Sequence, residues 1–301
     1  MSSPTFLLGN HRSGTTWLYS LLAATGHFST LTAHHVISWH APMSQETLAA
    51  RLQAEGLFER ALDGIALSPN TPEEYCYILN NAGHKSWLTP GSRPLLASII
   101  DRLVVDGEGR QVLLKNPWDY GHFPALAEAW PEARFIFLHR HPLRVIQSAA
   151  RVFRVMWSPP EPDGYVSLLS ARYRRMWANP LTRGFFRWAA TGALDLDVRA
   201  ISGGVKAANH HYLRHLGALR PEQRVVVRYE DLCASPDDEL GRILRFLDAP
   251  ATAAQVPTRE GSSPLLPAVE RHQSGICRSM QAYLDHFSYN AEGGADTWSP
   301  R

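Results

Sequence analysis

The chain has 301 residues, 45% of them hydrophobic, and a formal charge of +2 with its 14 histidines neutral. That is enough apolar material for the core of a full-sized domain, and too mild a field for nucleic-acid binding to be its organising feature. Cys76, Cys233 and Cys277 are too far apart for a C-x-x-C metal or redox pair and too few for a disulfide framework. No apolar run reaches the ~20 residues of a membrane span, and the first strand starts too soon after Met1 to leave room for a signal peptide. The expectation is a cytoplasmic protein without a membrane span.

Phe6, Leu7 and Leu8 form a short apolar strand that runs into Gly9; Gly14, Thr15 and Thr16 follow, and then Trp17, Leu18, Leu21 and Leu22 at helical spacing. Strand, tight turn and helix in this order make an anion site. Glycines let successive backbone N–H groups face inward, and the helix adds unpaired N–H groups and the positive end of its dipole. Against the triphosphatase pattern G-x-x-x-x-G-K-[ST], Gly9, Gly14 and Thr16 match but Thr15 stands in the lysine position. The cation of the turn is Arg12 instead, and a glycine turn with no ligand is the alternative at this point.

Gly26 closes the first helix, and Leu31–His40 reads as a second short strand. His34, His35 and His40 are no metal set on such a strand, because its neighbours point to opposite faces and no cysteine or carboxylate lies at ligand spacing. Ser44 caps a helix read over Ser44–Leu62, and Pro72-Glu73-Glu74 opens another over Tyr75–Leu79, its carboxylates suiting the helix N-terminus.

Gln111–Lys115 is a strand ending in a lysine, followed by Asn116-Pro117. Open parallel sheets bind ligands outside the carboxyl ends of their strands, so Lys115 is expected on the rim that carries Arg12; a surface lysine with a buried stem is the alternative. Phe135–Leu138 is the clearest strand, again leading to a cation, Arg140. Pro142 opens a helix with Val145, Ala149, Val152 and Met156 as its buried stripe and Arg144, Ser148 and Arg151 on another face. Arg144 and Arg151 read as solvated, whereas Arg140 with Ser148 makes a guanidinium fork and hydroxyl suited to a phosphate monoester. Tyr165–Gly217 reads as helical and rich in Arg, Trp and Phe, packing on the sheet or lining an acceptor pocket. Arg224–Arg228 is the last strand, ending in Tyr229-Glu230-Asp231; Ser235-Pro236-Asp237 starts a helix, and Asn290–Arg301 reads as a flexible tail.

Arg12-Ser13-Gly14-Thr15-Thr16, followed by Trp17, resembles the 5′-phosphosulfate loop [KR]-[SG]-G-T-T of the sulfotransferase superfamily, in the arginine form of its bacterial and tyrosylprotein branch. Those enzymes use 3′-phosphoadenosine-5′-phosphosulfate (PAPS). Lys115-Asn116-Pro117 is similar to their Lys-[TSD]-[PH], without the histidine that cytosolic members carry two residues after the lysine. Arg140 with Ser148 resembles their 3′-phosphate site, and Tyr229-Glu230-Asp231 their motif beside the adenine. The resemblance runs from residue 4 to 287, with specific motifs at 9–17, 115–117, 140–148 and 229–232.

It implies an α/β fold: a single P-loop-like domain over residues 1–289, with a central parallel sheet flanked by helices and helical insertions on the acceptor side. It implies PAPS as co-substrate, its 3′,5′-bisphosphate (PAP) as product, no metal, and transfer to a hydroxyl, less often an amine, of a small-molecule acceptor. Gly9, Arg12, Ser13, Gly14, Thr15, Thr16, Trp17, Arg140, Ser148 and Tyr229 would hold the nucleotide, and Arg12 with Lys115 would stabilise the charge that builds on the leaving group. Counting along the arginine branch puts the general base at His35, with His34, Asp119 and His122 in reserve. Arg271, His272 and Arg278 fall in a segment that folds over the nucleotide in relatives, but the Arg-Lys-Gly motif of the cytosolic enzymes is missing. An ATP-dependent phosphotransferase would need the loop lysine and an acid where His139-Arg140 follows the FIFL strand. A non-catalytic adenine-nucleotide module would need neither Lys115 nor a base.

Overall fold

The computed structural model describes residues 3–62, 64–251 and 263–294. Its strands are β1 (Thr5–Leu8), β2 (Phe28–Thr30), β3 (Glu59–Arg60), β4 (Ile65–Ala66), β5 (Gln111–Lys115), β6 (Arg134–His139) and β7 (Arg224–Arg228). Five of them form one parallel sheet in the order β2-β5-β1-β6-β7, while β3 and β4 make a small antiparallel hairpin. The helices up to the middle of the chain are α1 (Thr15–Ala24), α2 (Ala33–Ser38), α3 (Gln45–Ala54), α4 (Cys76–Asn81), α5 (Arg93–Asp106), α6 (Phe123–Ala129) and α7 (Pro142–Trp157). Then come α8 (Gly164–Leu169), α9 (Ala171–Ala178), α10 (Pro180–Ala190), α11 (Leu196–His215), α12 (Tyr229–Ala234), α13 (Pro236–Phe246), α14 (Pro267–Ser279) and α15 (Gln281–His286). The α/β architecture expected from the sequence is the one observed. No described helix is long and apolar enough to cross a membrane.

The sheet is apolar on both faces, as a parallel sheet covered by crossover helices must be. Successive side chains on a strand alternate between faces. Phe6, Leu8, Val112, Leu114, Phe135 and Phe137 therefore join one core with residues of α4, α5, α7 and α11. Leu7, Leu113, Ile136, Leu138 and Val227 join the other with α1, α12 and α13. Each such aliphatic or aromatic side chain, withdrawn fully from water, contributes about 1.5–3 kcal/mol. Leu7 pairs with Lys115 on one side of β1 and Leu8 with Phe137 on the other, so the carboxyl ends of β5, β1 and β6 share one rim.

Several local expectations change. Leu31–His40 is not a strand: β2 ends at Thr30 and α2 begins at Ala33, because Thr32 and His35 form a reciprocal capping box. The helix capped by Ser44 ends at Ala54 rather than Leu62, where Gly56 (φ +67°) turns the chain and Leu57 N–H donates to Leu52 O at 2.8 Å. On α7 the buried residues are Pro142, Leu143, Val145, Ile146, Gln147, Ala150 and Trp157, so of the expected stripe only Val145 is buried. The helix packs against α10, α11 and α14 together, which rotates its buried face. Arg144 donates to Ser263 O at 2.7 Å and to Gly293 O at 3.3 Å, and Arg151 to Ser263 Oγ at 3.0 Å, so neither is simply solvated. The start of the expected tail is tied down as well, since His141 Nε2 donates to Asn290 O at 2.7 Å. Residues 295–301 lie outside the described residues.

Candidate active site

The turn between β1 and α1 needs both of its glycines. A Cβ on Gly9 would lie 2.4 Å from Leu138 O and 2.7 Å from Ser13 Oγ, so β6 can approach only a bare backbone. Gly14 sits at φ +99° with the Tyr229 ring where its Cβ would be, 2.3 Å away. Arg12, at φ +71°, occupies the left-handed region without that freedom, and such strain is held by surrounding contacts. Ser13 N–H donates to Asn10 O at 3.0 Å, and the Asn10 side chain donates to Asn209 Oδ1 of α11 at 2.7 Å.

Around this turn the sheet order gathers the strand-end residues. Lys115, its side chain fully buried at the end of β5, donates to Thr16 Oγ1 at 3.0 Å and lies 3.2 Å from Glu74 Oε1. The lysine missing from the turn is thus supplied by the neighbouring strand. Arg140, one residue past β6, donates to Arg12 O at 3.2 Å and stacks its guanidinium 4.2 Å over the Tyr229 ring, with Trp17 edge-on to the same tyrosine at 5.9 Å. Arg12 Nε donates to Ser148 Oγ at 3.2 Å and its Nη2 to Leu62 O at 3.1 Å, so the turn and the α7 hydroxyl are already joined. Arg140 Nε and Ser13 Oγ are buried with no hydrogen-bond partner among the described residues. An unsatisfied buried polar atom costs about 1–3 kcal/mol, and donors of this kind beside cations and inward-facing amides fit a bound anion.

The segment Thr71–Tyr75 brings in residues that local sequence signals did not place here. Thr32 bridges Pro72, and Glu73 N–H donates to Leu31 O at 2.8 Å, fastening the segment beside the end of β2. Glu73 pairs with Arg60 at 3.0 Å and accepts from Tyr165 Oη at 2.8 Å; burial pushes its carboxyl upward despite the arginine. Burial acts the same way on Glu74, but Lys115 and His11 overcome it and hold the carboxyl below its usual range. Both residues directly precede α4, at the N-terminal end where the sequence puts them, and in addition form ion pairs with Arg60 and Lys115. Only the long-range bridge to Thr32 reveals this.

The residues proposed for the base do not share the site. His35 accepts from Thr32 N–H at 3.1 Å and pairs with Asp106 of α5 at 3.3 Å, away from the cavity wall. Burial lowers its pKa, with Asp106 working the other way. His34 donates to Met43 O at 2.7 Å. Asp119, buried and pushed up to about 6 by desolvation, accepts from Tyr75 Oη, Asn116 Nδ2 and Leu88 N–H. His122 is exposed and stacks on Trp87 at 4.7 Å. Arg271 and His272 both hold Asp195, at 2.7 and 3.1 Å, and Arg278 is exposed on α14.

A cavity of about 690 Å³ opens on this rim. At one end it is lined by Arg12, Gly14, Thr15, Thr16, Trp17, Arg140 and Tyr229; Glu74 and His11 line it too, and Glu74 pairs with Lys115, which also holds Thr16. Away from the turn an apolar cluster supplies much of the wall, Phe153, Met156 and Trp157 of α7, Val166 of α8, and Tyr173 and Met176 of α9, and Ser170 and Arg172 also line the cavity. Gly9, Ser13, Lys115 and Ser148 are not part of the wall; Lys115 holds Thr16 and Glu74, and Ser148 accepts from Arg12.

Residues 4–183 match the model of the Sulfotransferase family. The chain is 25% identical over 273 residues to omega-hydroxy-beta-dihydromenaquinone-9 sulfotransferase Stf3 of Mycobacterium bovis and of Mycobacterium tuberculosis, a match covering 81% of this chain and 62% of each relative. It thus spans less than two thirds of the length of these curated relatives. In fold it is similar to the sulfotransferase STF9 from Mycobacterium avium, at 18% identity and a TM-score of 0.62 over 97% of this chain and 79% of the other. STF1 from Mycobacterium tuberculosis H37Rv gives a TM-score of 0.54 at 14% identity, over 95% and 77%. With more than half its length matching the family model, and the strand-end cations and glycine turn in place, the chain belongs to the Sulfotransferase family.

Proposed function

We propose that this chain transfers a sulfuryl group from PAPS to the hydroxyl of an apolar small molecule, in the cytoplasm. The observation that carries the reading is the two-ended cavity, with amides, Arg12 and Arg140 at one end and an aromatic and aliphatic wall at the other. The curated relatives are named for a hydroxylated menaquinone acceptor, an apolar alcohol. The free, buried thiols of Cys76 and Cys277 suit a reducing compartment.

In this reading Gly14, Thr15 and Thr16 offer backbone N–H groups to the 5′-phosphosulfate, while Arg140 and Ser148 take the 3′-phosphate and Tyr229 the adenine. The acceptor oxygen bonds to sulfur as the sulfur–oxygen bond to the 5′-phosphate breaks, and charge grows on the departing phosphate. Lys115, fixed by Thr16 and Glu74, and Arg12 meet that charge without reorganising, an effect worth about 3–4 kcal/mol per donor. The acceptor proton passes to Glu74, which lines the cavity and is held ionised by Lys115. His35, engaged with Thr32 and Asp106, has no part in the transfer.

Two measurements test the reading. PAP is expected to raise the melting temperature while ATP with magnesium does not, and Arg140→Ala is expected to abolish most of that shift. Labelled PAPS with a panel of apolar alcohols is expected to give a sulfated product. Stabilisation by ATP with magnesium alone would restore the phosphotransferase reading, and PAP binding with no product from any alcohol would leave a nucleotide-binding module.

A further inference from the structure

Large apolar side chains on the surface are mostly scattered, but α10 gathers three on one face. Leu181, Phe185 and Trp188 are 84%, 58% and 47% exposed and stand at i, i+4 and i+7, with the two rings 6.2 Å apart. The opposite side of the helix is fully used. Phe186 stacks on Trp157 at 4.6 Å, and Ala189 and Ala190 are buried. No part of the described fold covers the outer face, and Leu194, 74% exposed, follows just beyond the helix.

The charge on the same segment is one-sided. Residues 171–190 contain five arginines and no acidic residue. Arg174, Arg175 and Arg187 are exposed, and Arg172, also exposed, reaches the cavity. The first acids beyond α10 are occupied, Asp195 by Arg271 and Asp197 by Arg154. A second copy docked on this face about a two-fold axis would set arginines against arginines. An apolar helix face bordered by arginines matches an anionic lipid surface, where the apolar side chains enter the acyl boundary and the guanidinium groups meet phosphates.

We propose that α9 and α10 form a membrane-docking surface that seats the protein on anionic bilayers. Trp157, on which the inner face of α10 rests, also lines the apolar end of the cavity. The end of the cavity that receives the acceptor is therefore one aromatic layer from the bilayer. The chain lies on the membrane through α10, and no described helix is long and apolar enough to cross it. This inference goes beyond the transfer reaction, and its test reads no sulfuryl transfer.

The experiment is co-sedimentation of the full chain with vesicles of phosphatidylcholine, and with vesicles of phosphatidylcholine containing phosphatidylglycerol, at low and high salt. Binding is expected only to the anionic vesicles and is expected to weaken with salt. The double variant Phe185→Ser, Trp188→Ser should cut partitioning ~10-fold or more, and Arg174→Gln, Arg175→Gln should reduce it by a smaller factor. All four positions are exposed, and far-UV circular dichroism checks that the fold is kept. Absence of binding to anionic vesicles at low salt, or binding that ignores the aromatic double variant, overturns the proposal. So does light scattering that shows a dimer dissociated by that same double variant, because the occupant would then be a second copy.

Discussion

The two ends of the cavity are built by different physics. The anion end is backbone and strand termini: Gly9 and Gly14 are demanded by contacts of 2.4 and 2.3 Å that any Cβ would make, and Lys115 and Arg140 are carried there by the register of β5 and β6 on β1. The apolar end is side chains on helices, where Phe153, Met156, Tyr173 and Met176 offer shape and no hydrogen-bonding pattern comparable to the rim. A phosphate demands donors at fixed positions, so that end tolerates little change; an apolar acceptor demands volume, so the other end can be remodelled. Glu74 belongs to neither end by sequence and to both by position.

That contrast can be broken most directly at the junction. Glu74→Gln is expected to lower kcat by about 10²–10⁴ while PAP affinity holds, read by product formation beside calorimetric titration. Unchanged kcat would turn the search for a base to His11, whose buried imidazole borders the same cavity. Next in size, Lys115→Ala should cost about 10²–10³ in kcat, measured at saturating PAPS. Normal turnover there would remove the lysine from the mechanism.

Phe153→Ala sharpens the contrast from the apolar side. It should raise the acceptor KM by roughly 10-fold and leave PAP affinity alone, as lost apolar contact of 1–3 kcal/mol predicts. A loss of PAP affinity would show the ends to be coupled. The smallest effect is on stability. His141 caps α7 by accepting from Leu143 N–H at 3.2 Å, and burial lowers its pKa to about 4. The unfolded chain then binds more protons than the folded one between about pH 4 and 6.5, so stability is full above 6.5 and falls as the pH drops through that window. The slope is about 1 kcal/mol per pH unit. His141→Asn, which keeps a cap, should flatten that part of the melting-temperature profile.

Much of the anion end was legible in the sequence because its causes are local. A glycine turn between an apolar strand and a helix, a lysine or arginine ending a strand, and Tyr229 after β7 are each visible within about ten residues. The strand read over Leu31–His40 fails for a related reason: Thr32 capping at three residues' distance makes a helix and uses the His35 imidazole in doing so. Pro72-Glu73-Glu74 does lead into a helix, α4, as read, but the partners of the two carboxylates are not visible locally. The carboxylates serve Arg60 and Lys115, partners 13 and 41 residues away.

From sequence alone came the α/β class, the strand–turn–helix that can hold an anion, and the rim cations, since backbone sterics and the alternation of side chains on strands act over a few residues. Folding alone decided that Lys115 meets Thr16, that Glu74 stands in the cavity, and that α10 turns Leu181, Phe185 and Trp188 outward. Those outcomes depend on which surfaces meet across the whole chain, and a buried charge or an uncovered apolar face is defined only by its neighbours.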